Sequence, residues 1–222
     1  MFKDIKLAAK LIKYGIQFKQ VIVMSIIFFV IGIAFLIFGG SSQIILGVLY
    51  MVMFLSYLMQ PYMSLSISKC VATSGKNRDL FHKVPMLVNS IAALIGYSLS
   101  VIIIELKRYV FNGKGTITDA QISTVLVMGG VLAMVLQLYM AMAYKKFIIS
   151  MIIFFVVFFP SYFTVDTLTR NLNGLNIPVY IAIVIGYAAV LLGTALAFLA
   201  GKLTYKMPLD KHYFRRSLEI SK

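Results

Sequence analysis

"LQLYMAMAYKKFIISMIIFF", residues 136–155, decides how many times this chain crosses a membrane. Only Tyr144, Lys145 and Lys146 interrupt an apolar stretch that runs from 122 to 165. A bilayer core about 30 Å thick takes roughly 20 apolar residues as one helix, so a continuous helix here would be about twice too long to span. A tight turn at 144–146 therefore divides the stretch into two spans.

Working outward, the same length test gives six expected spans: 20–38, 44–67, 86–106, 122–144, 147–165 and 177–201. Of the 222 residues, 61% are hydrophobic and 13% charged, and a soluble domain of this length would be far more polar. The expected class is an all-α integral membrane protein, one domain over 1–222 with a tail at 202–222. No Pro-rich or Gly/Ser-rich linker and no internal repeat divides it. The start, "MFKDIKLAAKLIKYGIQFKQ", has lysines spread along it and does not read as a cleavable signal. Cys70 is the single cysteine, which excludes an internal disulfide and a multi-cysteine metal site.

Orientation follows from the basic residues. With the N-terminus inside, 17 of the 21 Lys and Arg fall in inside segments, and only Lys107, Arg108, Lys114 and Arg170 lie outside. That asymmetry satisfies the positive-inside rule, so both termini are expected in the cytoplasm. The net charge of +14 is then a topology signal plus attraction to anionic lipid. A nucleic-acid partner would need a dedicated basic domain, and none is present.

The search for chemistry narrows the class. "SGKN" (74–77) has Cys70 and Asn77 where a phosphate-binding loop needs Gly and Ser or Thr, so ATP is not bound by that motif. His82 and His212 lack HExxH spacing, and there is no G-x-S-x-G elbow, so no catalytic or metal constellation is expected. The seven acids, Asp4, Asp79, Glu105, Asp119, Asp166, Asp210 and Glu219, all avoid the middle of a span. Proton- or sodium-coupled carriers usually place an ionisable group there, which argues against a secondary transporter.

Three stretches carry candidate roles. Lys3, Lys6, Lys10 and Lys13 fall within an arc of about 80° on a helical wheel. Residues 1–19 are expected to form an amphipathic helix in the membrane interface, with a second apolar flank, Leu7, Leu11, Tyr14 and Phe18, left to bury elsewhere. The loop "VATSGKNRDLFHKVP" (71–85) is basic. It sets an apolar patch of Leu80, Phe81 and Val84 among Lys76, Arg78, Asp79 and Lys83. Such a short rim helix either seats in a groove of another protein or dips into the membrane. Ser56, Gln60 and Ser64 make a polar stripe in the second span that either lines a path or bonds a neighbouring helix. Pro61 and Pro160 are candidate kinks. Ala92, Gly96 and Ser100, and likewise Ala189, Gly193 and Ala197, recur every four residues as close-packing stripes.

The order is a basic amphipathic helix, two spans, the loop "GKNRDLFHKV", then four spans and a short basic tail. It resembles an ABC transporter permease of the type-2 exporter class, the stand-alone kind whose ATPase is a separate chain. The resemblance covers the whole chain in layout without a strict motif. It implies that 1–19 is the connecting helix. It makes Lys76, Arg78, Asp79, Leu80, Phe81, Lys83 and Val84 the ATPase-coupling segment. It implies a permease dimer, a homodimer ahead of a heterodimer, bound to separate ATPase subunits that carry the ATP and Mg. No cofactor is then expected on this chain, which would sit in a bacterial plasma membrane and not itself be an enzyme. The cargo would be a hydrophobic or amphipathic compound, peptides such as toxins or bacteriocins ahead of small drugs. The segment "DTLTRNLNGLNIP" (166–178) is short for the re-entrant element that the family often carries there. The alternatives are the substrate-capture membrane subunit of a vitamin importer and a secondary transporter.

Overall fold

A computed structural model describes residues 18–57, 83–110, 118–143, 145–171, 174–204 and 207. Among the described residues there are six helices and no strand. They are α1 (Phe18–Phe38), α2 (Ser41–Ser56), α3 (Val84–Val110), α4 (Asp119–Ala143), α5 (Phe147–Asn171) and α6 (Val179–Thr204). Five of them, all but α2, are long and apolar enough to cross a membrane. The protein is therefore a helical, membrane-embedded one. Helix α2 has 16 residues, about 24 Å of rise. The expected span 44–67 continues beyond it into residues outside those described.

The long apolar stretch breaks between Ala143 and Phe147. The backbone N–H groups of Lys145 and Lys146 both donate to the Met142 carbonyl, at 2.9 and 2.8 Å, and so close the turn. Lys146 is exposed, but Lys145 is buried and its Nζ donates to the Met207 carbonyl at 2.6 Å. Burial lowers the Lys145 pKa below the usual lysine value.

Hydrogen bonds define one end of the bundle. Gly39 and Gly40 turn the chain from α1 into α2, with the Gly40 N–H donating to Gln43 Oε1 at 3.1 Å. Lys107 Nζ, near the end of α3, donates to the Gly39 carbonyl at 2.8 Å. Arg108 forks onto Asp119 at the start of α4, Nε to Oδ1 at 3.0 Å and Nη2 to Oδ2 at 2.8 Å. The α5–α6 connection crosses the same end: Ser123 Oγ donates to the Ile177 carbonyl, and the Leu175 N–H donates to Thr124 Oγ1. Gly174 makes that crossing in the left-handed region, φ +97°, against the backbone of Ala120. At the opposite end Met86, Met140, Ala141 and Ala197 pack with Tyr57, Tyr139 and Phe198.

Helix α4 is the centre, in contact with α2, α3, α5 and α6. Its most apolar window is 61% buried, against 22% for α1 and 11% for α5, which makes those two the rim helices. Their outward side chains, such as Ile26, Val30, Ile152 and Val156, are exposed, as lipid-facing residues are. Helix α5 passes through Pro160 to Asn171 and packs on α4 by rings, with Tyr139 and Phe154 5.4 Å apart.

Small residues let the central helices touch. A Cβ built on Gly130 would lie 2.6 Å from Gly186 Cα, and one on Gly193 would lie 2.6 Å from Met134 Cα, so α4 and α6 meet backbone to backbone. Gly96 does the same for α3 against the Met51 carbonyl and Val52 Cα of α2. Ala92, Gly96 and Ser100 are all buried. The buried stripe on α6 runs through Ala182, Gly186, Val190, Gly193 and Ala197, and Ala189 sits at its margin.

Candidate functional site

A thread of buried polar side chains crosses the interior of this bundle between α3, α4 and α6. Its hub is Gln137, wholly buried on α4. Gln137 Nε2 donates to the Val190 carbonyl of α6 at 3.0 Å. The Thr194 hydroxyl lies 3.0 Å from Gln137 Oε1 and 3.2 Å from the Val190 carbonyl, so its one proton is shared between two acceptors. From the other side Asn89 Nδ2, on α3, donates to the Gln137 backbone carbonyl at 3.0 Å. In a medium without water each of these groups needs a protein partner, and the thread supplies one to all but Asn89 Oδ1.

A second polar cluster lies farther along α3. Tyr97 Oη donates to the Leu126 carbonyl of α4 at 2.9 Å, and its ring meets Tyr187 of α6 edge-on, centroids 5.1 Å apart. Tyr187 Oη donates back to Ser98 Oγ at 2.9 Å. The two clusters tie α3, α4 and α6 at two levels by uncharged bonds. The amides and hydroxyls of the two clusters hold these helices together. Among the described residues no group of three His, Cys, Asp or Glu gathers.

The sequence-predicted residues distribute as follows. Lys3, Lys6, Lys10, Lys13, Gln60, Ser64, Lys76, Arg78, Asp79, Leu80 and Phe81 lie outside the described residues. Lys83 is exposed, whereas Val84 is 1% exposed and faces the interior at the start of α3. Ser56 is fully buried, and its Oγ has no hydrogen-bond partner among the described residues.

Sequence reasoning missed Asn89, Gln137 and Thr194. Their signal was available: Asn89 and Gln137 are isolated amides well inside runs of apolar residues, where a polar group must find a bond. Gln137→Leu should lower the thermal unfolding midpoint in detergent by roughly 2–4 °C, on the order of 1 kcal/mol. A variant as stable as wild type would show that the thread adds nothing to holding α4 on α6.

Comparison with protein-family models, with characterised proteins and with solved structures finds no match for this chain. The functional reading therefore rests on its own residues.

Proposed function

We propose that this chain is the permease subunit of an ATP-driven exporter whose ATPase is a separate chain. It works with a second permease copy in a bacterial plasma membrane and moves a hydrophobic or amphipathic cargo, peptides ahead of small drugs. One observation carries the reading: 17 of 21 basic residues fall in the segments of one side, concentrated before the first span, in the 69–85 loop and after the last span. Those are the segments through which a permease of this layout meets its ATPase.

The described helices support it. Lys107 and Arg108 stand at the end that holds the α1–α2 turn, and Lys145 stands at the other. Among the described residues no Asp, Glu, His, Lys or Arg falls in the middle of a helix, which weighs against a carrier driven by an ion held at mid-membrane.

Two measurements test the proposal. On a Cys70→Ser background, a cysteine at position 77 should resist an impermeant thiol reagent added outside intact cells and react once the membrane is opened. Labelling from outside would reverse the topology. The tagged chain, solubilised in mild detergent, should retain a nucleotide-hydrolysing partner and stimulate its ATP turnover in liposomes. Turnover unchanged by the permease would remove the exporter reading.

A further inference from the structure

Ser56 Oγ and Asn89 Oδ1 are both fully buried, and neither has a hydrogen-bond partner among the described residues. They sit on α2 and α3, which pack against each other. Gly96 rests on Met51 and Val52, which fixes the register of the pair. Asn89 lies seven residues before Gly96, two turns along and about 20° round, on the face that meets α2. Ser56 lies four residues after Val52, one turn along, on the face that meets α3. The two helices are antiparallel, since Tyr57 at the end of α2 and Met86 at the start of α3 share one packed cluster. At 1.5 Å per residue, Asn89 is about 10 Å and Ser56 about 6–7 Å from the Gly96 level, both towards that cluster. The axial offset of about 4 Å fits one small bridging molecule.

Hydrogen-bond chemistry says what that molecule must do. Asn89 Nδ2 is committed to the Gln137 carbonyl, which identifies the other amide atom as the oxygen, an acceptor only. The Ser56 hydroxyl both donates and accepts. The bridge has to donate to Asn89 Oδ1 and can either accept from Ser56 Oγ or donate to it. A bare cation would face two neutral oxygens with no counter-charge, at a high desolvation cost. Water meets both requirements, and buried waters occur where polar groups have no protein partner.

We propose that a single water molecule bridges Ser56 and Asn89, donating to Asn89 Oδ1 and accepting from Ser56 Oγ. It joins α2 to the Asn89–Gln137–Thr194 thread. On the exporter reading, on which this last step alone depends, the bridge couples the end of α2 to the α3–α4–α6 core.

The experiment is a thermal double-mutant cycle on the purified full chain. Ser56→Ala should lower the unfolding midpoint by about 2–4 °C and have no effect in an Asn89→Ala background. An unbridged buried hydroxyl is better removed than kept, so an unchanged or raised midpoint for Ser56→Ala overturns the proposal, as does additivity of the two changes. If Asn89→Ala does not fold, the sign of Ser56→Ala decides alone. Gln60→Leu should leave the Ser56–Asn89 coupling intact; its loss would make the Gln60 amide the bridge and overturn the water. Replacing choline chloride with sodium chloride should leave the wild-type midpoint unmoved, and a sodium-dependent rise would overturn it in favour of a cation.

Discussion

Gly130→Ala lowers the thermal unfolding midpoint by about 6–12 °C in detergent. The added Cβ would lie 2.6 Å from both Cα and O of Gly186 and 2.9 Å from its carbonyl carbon. Every atom it meets is backbone, so no side chain can swing away and the two helices must part. Overpacking a rigid contact costs about 1–3 kcal/mol, occasionally more, and separation here adds a second loss. Gln137 lies two turns from Gly130 on the same face of α4, and its 3.0 Å bond to Val190 is lost as the axes spread. The mirror change, Gly186→Ala, collides with Tyr97 Oη, which is pinned to the Leu126 carbonyl. Gly40→Ala is the control, because nothing lies within 4 Å of its Cβ position and its φ of −73° suits any residue. Equal midpoints for Gly130→Ala and Gly40→Ala would show that α4 and α6 are not in backbone contact.

If the exporter proposal holds, Phe81→Ala should weaken retention of the proposed ATPase by about 30-fold and uncouple ATP hydrolysis from export, with normal insertion of the chain. An aromatic anchor at a small interface commonly contributes about 2 kcal/mol or more when truncated, which is that factor in affinity. Val84 is buried at the start of α3, so the expected patch rests on Leu80 and Phe81. Arg78 should set the rate of association and its salt dependence, with less influence on affinity. Arg78→Ala is expected to slow binding and flatten its response to ionic strength. At equal permease abundance, normal ATPase retention and normal transport in Phe81→Ala would reduce 71–85 to a membrane-anchored turn.

The helical, membrane-embedded character was legible because apolar runs of spanning length carry it residue by residue, and Lys145–Lys146 marked a helix break that length alone demanded. The partners were not legible. The stripe on α6 reads from the sequence as Ala189, Gly193 and Ala197; Gly193 and Ala197 are buried in the contact, which continues through Val190 and Gly186 with Ala189 at its margin. A row of small residues gives the face of a helix to within one position but does not name the helix that meets it. Ser56 was read as bordering a path or bonding a neighbour; it is fully buried, and its Oγ has no hydrogen-bond partner among the described residues. Asn89 and Gln137 pair only because α3 and α4 cross at one level. Their separation of 48 residues has no local signature.

The span of 53 residues between Gln137 and its acceptor Val190 sets a clock on synthesis. At about 5–20 residues per second, α4 waits roughly 3–10 s in the bilayer before the partner carbonyl is even made. During that interval the Gln137 amide has neither the Val190 carbonyl nor the Thr194 hydroxyl to bond. Completion of α6 is thus the event that supplies the Gln137 amide with its acceptor.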